Sequence, residues 1–244
     1  MFWKIFVPAA LIFFGVFSAP PSHGAGEKAL QLQQKQYLSG NHTITICPTA
    51  IKLKNTTQKY EVICKAPKWD VDSFRHDDKV ICHLTLQEFF KQHEYRAKAL
   101  PEEMHPVGAQ TLGVLNPTVY KSHKQEIWIA KTALVPAPVQ DLISAYYKCN
   151  HVDGLLIKFM TIIGPGEKQA GQPARPGVNK YLVMVETSSC AEIPFKKSDF
   201  DVPTGYKKVT STQELMTSSR SRKEAADIFR DMGLGEDFGN SKSK

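Results

Sequence analysis

The chain has 244 residues, 42% hydrophobic and 23% charged, with a formal net charge of +7. That balance excludes a purely disordered polypeptide and supplies enough apolar side chains for one core, or one core with a tail. The positive charge favours polyanionic partners such as RNA, anionic polysaccharide or a lipid surface.

Lys4 is followed by an apolar run from Ile5 to Phe17, then by the small residues Ser18, Ala19, Ser22 and Gly24. A run of 13 residues suits the core of a secretory signal peptide and is short of the ~20 needed to span a bilayer. Residues 1–24 are therefore expected to be removed on export, with cleavage after Ser18 or after Gly24. No other stretch is apolar enough for a transmembrane helix, so a secreted, extracellular product is expected.

Residues 25–42 are polar and Gln-rich and read as a lead-in. Thr43–Cys47 alternates with period two and predicts a strand, as do Lys59–Lys65 and the short apolar run Lys79–Leu84. Thr85 sits three residues before Glu88, a capping-box spacing, and Leu86, Phe89 and Phe90 continue on one face. A helix over 85–98 follows, stopped by Pro101. Glu126–Ala133 predicts a strand, Val139–Tyr147 a short helix, and Leu155–Ile163 a central strand. The glycines and prolines of 164–177 predict a long loop, and Tyr181–Thr187 a last strand running into Cys190. After Phe195 the chain is poor in large apolar residues and reads as a partly disordered extension, 196–244. One short amphipathic helix is expected there, from the Ser221/Glu224 spacing. The expected fold is α+β over 43–195: one main N-terminal helix packed on an antiparallel sheet of four to six strands.

Cys47, Cys64, Cys82, Cys149 and Cys190 are disulfide candidates in an oxidising compartment. Five is odd, so at most two bridges form, and one from Cys47 or Cys64 to Cys190 would bracket the core. Their spacing matches no zinc module, so neither metal nor cofactor is expected. Asn41 and Asn55 each open an Asn-x-Thr sequon and are glycosylation candidates. His76-Asp77-Asp78 reads as a solvated turn, and Cys149 beside Asn150-His151 as half of a disulfide with a neighbouring loop histidine.

Metal-free RNA cleavage needs a base, an acid and a cation at the phosphate. Glu126, with His123 and His105 and the neighbouring Lys121, Lys124 and Arg96, is the candidate set. A charged turn accounts for the same residues.

Tyr147-Lys148-Cys149, and the stretch from Tyr181 to Cys190, resemble the secreted candidate effectors of plant-pathogenic fungi, powdery mildews especially. The order of strand, helix and multi-strand sheet is also similar to the small guanyl-specific fungal ribonucleases. The chain departs from those effectors in placing Tyr-x-Cys mid-chain. The resemblance implies a ribonuclease-like fold that binds a host protein or RNA without cleaving it, delivered outside or into host cells. Three functional readings follow: a non-enzymatic binding protein acting on a host, an active ribonuclease built on Glu126, or an adhesive polysaccharide-binding protein.

Overall fold

In the computed structural model the described residues are 28–95, 100, 103–149, 153–163, 180–216, 218, 223 and 227. They form strands β1 (Lys28–Gln36), β2 (Gly40–Cys47), β3 (Ala50–Asn55), β4 (Tyr60–Lys65), β5 (Asp70–Arg75) and β6 (Val80–Leu84), then helix α1 (Leu86–Gln92). Strands β7 (His105–Ala109), β8 (Thr118–Lys121) and β9 (Gln125–Ala130), helix α2 (Ala137–Tyr147), and strands β10 (Leu155–Ile163) and β11 (Lys180–Pro194) follow. A 3-10 turn (Lys197–Phe200), strand β12 (Lys207–Val209) and helix α3 (Thr212–Met216) complete them. All twelve strands join one sheet in the order β12-β6-β5-β4-β3-β2-β1-β11-β10-β9-β8-β7. Every pairing is antiparallel except β12 with β6.

This corrects the expected architecture. The main body is one twelve-stranded sheet with short helices, in place of a principal helix on four to six strands. The ribonuclease-like fold implied by the effector resemblance is absent with it. The Gln-rich lead-in is largely strand β1, paired to both β2 and β11. Residues 196–216, expected as part of an extension, pack onto the sheet: Phe200 is buried and β12 adds to its edge. The expected signal peptide, Arg96, the 164–177 loop and most of the helix around Ser221 lie outside the described residues.

Local chemistry explains the elements that were legible. The Thr85/Glu88 capping box is present in full, and α1 ends sooner than expected, at a cap on His93. α2 stops at Lys148, which adopts a left-handed conformation. Between them the strands turn period-two alternation into two faces. On the inner face two rows, apolar but for Ser73, run from strand to strand. One is Leu30, Ile46, Ile51, Cys64, Val71 and Leu84; the other is Leu32, Ile44, Leu53, Val62, Ser73 and Cys82.

Those rows join α1, α2 and the inner side chains Ile127 and Ile129 of β9 in a single core. β6 and β9 are eight strand spacings apart in the sheet, roughly 38 Å if it were flat. A helix with its side chains is only ~10–12 Å across, so the sheet must curl around α1 and α2. A smaller cluster on the outer face, Ala29, Cys47, Ala50, Ile63, Phe74 and Phe200, is covered by the chain after β11.

Candidate functional site

A third inner-face row is polar. Thr187, Gln34, His42, Asn55, Tyr60 and Arg75 are successive cross-strand partners on β11, β1, β2, β3, β4 and β5. All six are buried. Burying that much polarity is tolerable only where the groups satisfy one another. Gln34 Nε2 donates to Thr187 Oγ1 and to the Leu156 carbonyl, both at 2.9 Å, and Tyr147 OH donates to Gln34 Oε1 at 2.5 Å. Asn55 Nδ2 donates to the Ser39 carbonyl and to His42 Nε2, both at 3.0 Å. Tyr146 OH lies 3.0 Å from His42 Nε2 and also bonds Tyr60 OH. Arg75 donates to the carbonyls of Leu215 and Met216, at 2.9 and 2.7 Å, capping α3. The row thus fastens α2 and α3 to the sheet.

His42 is the incompletely satisfied member. Its Nε2 accepts from Asn55, so the proton sits on Nδ1, and Nδ1 has no hydrogen-bond partner. Burial pushes the imidazole down to about 4, only partly offset by the nearby Gly40 backbone. The same desolvation holds Tyr146 and Tyr147 well above the ordinary phenol value. The His42, Tyr146 and Tyr147 side chains are thus held in their uncharged forms.

Two members of the polar row, Asn55 and Tyr60, back onto a surface cleft. The turns joining β3 to β4 and β5 to β6 flank a cleft of about 270 Å³, lined by Lys54, Asn55, Lys59, Tyr60, Glu61, His76 and Asp77 with Thr56. Asn55 and Tyr60 belong both to this cleft and to the buried row. Glu61, buried on the outer face, organises its wall: Oε2 lies 2.9 Å from Lys52 Nζ, and Oε1 lies 3.7 Å from Lys54 Nζ and 3.6 Å from His76 Nε2. His76 Nδ1 is held 2.7 Å from Tyr206 OH. Lys59 stands in a left-handed conformation (φ 59°). Asp77 Oδ2 faces Arg75 Nη1 at 3.5 Å. Of the residues lining the cleft, Lys54 and Lys59 balance Glu61 and Asp77, and Lys52, outside the lining, pairs with the other oxygen of Glu61.

The expected ribonuclease residues are placed elsewhere. His105, Lys121 and Glu126 are cross-strand partners on β7, β8 and β9, so they do share one row. The carboxylate in that row is already engaged. Glu126 Oε1 accepts from Trp128 Nε1 at 2.8 Å, and Oε2 lies 3.7 Å from Lys121 Nζ. His123 points away, with Nδ1 3.5 Å from Glu103 Oε2. This arrangement has the features of a charged strand edge.

The disulfide expectation is also corrected. All five cysteines are free and buried, and among the described residues none is bridged. Cys47 lies in the outer-face cluster, while Cys64, Cys82, Cys149 and Cys190 belong to the main core. They act as small apolar side chains, and burial pushes Cys64 up to about 12 and Cys149 and Cys190 to about 11. Of the two sequons, Asn41 is exposed at the start of β2. Asn55 is 1% exposed with its amide spent on Ser39 and His42, so a glycan there is incompatible with the fold. Among the described residues no cluster of metal-ligating side chains occurs.

No protein-family model and no curated protein matches this chain. Among solved structures, an uncharacterized conserved protein from Thermus thermophilus is 7% identical, with a TM-score of 0.38 over 76% of this chain and 91% of its own. A LolA superfamily protein from Nitrosomonas europaea is 8% identical, with a TM-score of 0.23 over 72% of this chain and 90% of its own. Likenesses this loose carry no functional argument.

Proposed function

We propose that the chain is an exported, non-enzymatic binding protein, and that the cleft at the β3–β4 and β5–β6 turns takes a small anionic ligand bearing a phosphate or carboxylate. One observation supports this above the others: Lys54, Lys59 and His76 converge on a cleft floored by buried Tyr60 and Asn55. Glu61 fixes two of those groups in advance, so less side-chain freedom is lost on binding. The volume suits a small organic anion and is low for a drug-sized molecule. Export rests on the pattern of residues 1–24.

A host-directed effector is not the reading favoured. Tyr147 and Cys149, which carry that resemblance, are accounted for by packing: the phenol bonds Gln34, and the thiol sits unbridged in the core.

Titration calorimetry with inorganic phosphate and with acetate tests the cleft. Saturable binding of either, weakened by salt and lost in a Lys54→Gln/Lys59→Gln variant, is expected. Absence of saturable binding, or equal binding by that variant, would overturn the proposal. An RNA-degradation assay with Glu126→Gln alongside separates the nuclease reading: activity in the parent chain that disappears in the variant would reinstate it.

A further inference from the structure

We propose that one rim of the curled sheet docks on a lipid bilayer containing anionic phospholipid. The rim is set by topology. In an antiparallel meander, alternate turns lie at the same end of the sheet. The β1–β2, β3–β4, β5–β6 and β8–β9 turns, the end of β10 and the start of β11 therefore share one end.

Three of the five exposed large apolar residues among the described ones lie there: Leu38 (75% exposed), Tyr37 (55%) and Tyr181 (51%). The other two, Val107 and Val114, sit on edge strand β7 and the loop after it. Tyr37 and Leu38 are consecutive, and Tyr181 stands on the adjoining strand β11. Tyr37 N donates to Met184 O at 2.9 Å, which leaves Tyr181 three residues, ~10 Å, further along the same strand. Single exposed apolar residues are ordinary, whereas a group on one rim marks an interaction surface.

The β1–β2 turn holds its leucine outward through its backbone. Gln36 Oε1 accepts from the N–H groups of Leu38 and Ser39 (2.9 and 2.5 Å) and from Ser39 Oγ at 2.6 Å. Gly40 (φ 84°) brings this turn against Thr57, whose Oγ1 accepts from Asn41 N at 2.9 Å. A turn tied to its own strand and to the next hairpin cannot fold Leu38 back into the core.

Charge identifies the occupant. Exposed lysines flank the apolar centre on both sides: Lys124, whose carbonyl bonds Ile162 N, on one, and Lys35, Lys54, Lys59 and Lys79 on the other. Ile162 in turn pairs with Tyr181. Lys59 and Lys79 both occupy left-handed positions (φ 59° and 48°), where glycine or asparagine is sterically easier. The β5–β6 turn also carries two acidic residues, Asp78 and Asp77, the second facing Arg75 Nη1 at 3.5 Å. An apolar tip with interfacial tyrosines inside a ring of cations complements an anionic bilayer: the leucine enters the headgroup boundary, the phenols sit at it, and the lysines meet lipid phosphates. A single-stranded RNA or an acidic polysaccharide would use the lysines and leave Leu38 without a role.

The test is co-sedimentation of the exported full chain with vesicles of phosphatidylcholine alone and of phosphatidylcholine with phosphatidylglycerol. Binding to the second and not the first is expected. Leu38→Glu should lower partitioning by about ten-fold or more. A Lys35→Gln/Lys79→Gln/Lys124→Gln variant should lower it on the order of a hundred-fold, at about five-fold per lysine. Neither variant touches the Lys54–Lys59 cleft, so phosphate titration should be unchanged in both, and failure of the cleft reading would leave this result intact. Thermal unfolding verifies that each variant is folded. The proposal is overturned if Leu38→Glu binds anionic vesicles as the parent does, if both vesicle types bind equally, or if neither binds. Retention on heparin that ignores Leu38→Glu while vesicle binding is absent would assign the rim to a soluble polyanion instead.

Discussion

His42 makes stability fall as pH falls, whereas a histidine that titrates alike in the folded and unfolded chain contributes no pH dependence. In the folded chain its imidazole is 1% exposed, its Nδ1 has no partner, and burial lowers it to about 4 from 6.5. Between those two values the unfolded chain takes up a proton that the folded chain refuses, so stability falls as pH falls. The full contribution is present above pH 6.5 and is lost progressively down to about pH 4. At 1.36 kcal/mol per pH unit the total is about 3 kcal/mol, of which about 2 is already lost at pH 5, before most carboxylates titrate. Burial also lowers His93, which adds in the same direction. Urea unfolding at pH 7.5 and pH 5 on the parent chain and on His42→Gln isolates the His42 share, because His93 is common to both. Glutamine can still meet Asn55 and Tyr146. The parent should lose about 2 kcal/mol more than the variant over that interval. Equal losses would refute the reasoning, as would an NMR titration placing the His42 ring near its ordinary value.

Three further outcomes follow from the same geometry. Thiol titration with Ellman's reagent should find almost no reactive cysteine in the native chain and all five after guanidine unfolding, because each is buried and unbridged. Gly40→Ala should cost about 2–4 kcal/mol in urea: φ is 84°, and the new Cβ would stand 2.3 Å from Thr57 Oγ1. Tyr146→Phe, which removes the hydroxyl shared by Tyr60 and His42, should cost about 1–3 kcal/mol, read by the same unfolding transition.

What could be read in advance depended on where each strand puts its polar residues. β2, β4, β9 and β10 turn plainly apolar side chains inward, and period-two alternation or a β-branched run exposes them in the sequence. β1 hides because Gln34 and Gln36 occupy inward positions, and β5 because Ser73 and Arg75 do. A polar residue facing inward reads as a loop unless its partner is known, and here the partner is on another strand or on α2. β1, near the start of the described chain, pairs with β11 near its end, so neither the strand count nor the sheet's curl is local information. The capping box of α1 was legible because both of its groups lie within one turn.

The same distinction explains the residues that were misread. Asn55-Thr56-Thr57 and the five cysteines are short motifs whose chemistry requires exposure or proximity, and neither property is written in the motif. Hairpin register supplies it. Asn55 directly opposes His42 on one side and Tyr60 on the other, which turns a glycan acceptor into a buried donor. Cys64 and Cys82 share the inner face but belong to different rows and are separated by β5. Two spacings of ~4.8 Å put their backbones ~10 Å apart, beyond the ~7 Å a disulfide can bridge. A one-residue slip of β4 would turn Tyr60 and Cys64 outward together and open both the polar row and the apolar row beneath it. The register that keeps the core shut is therefore the one that assembles the His42–Asn55–Tyr60 row and sets Asn55 and Tyr60 behind the cleft flanked by Lys54 and Lys59.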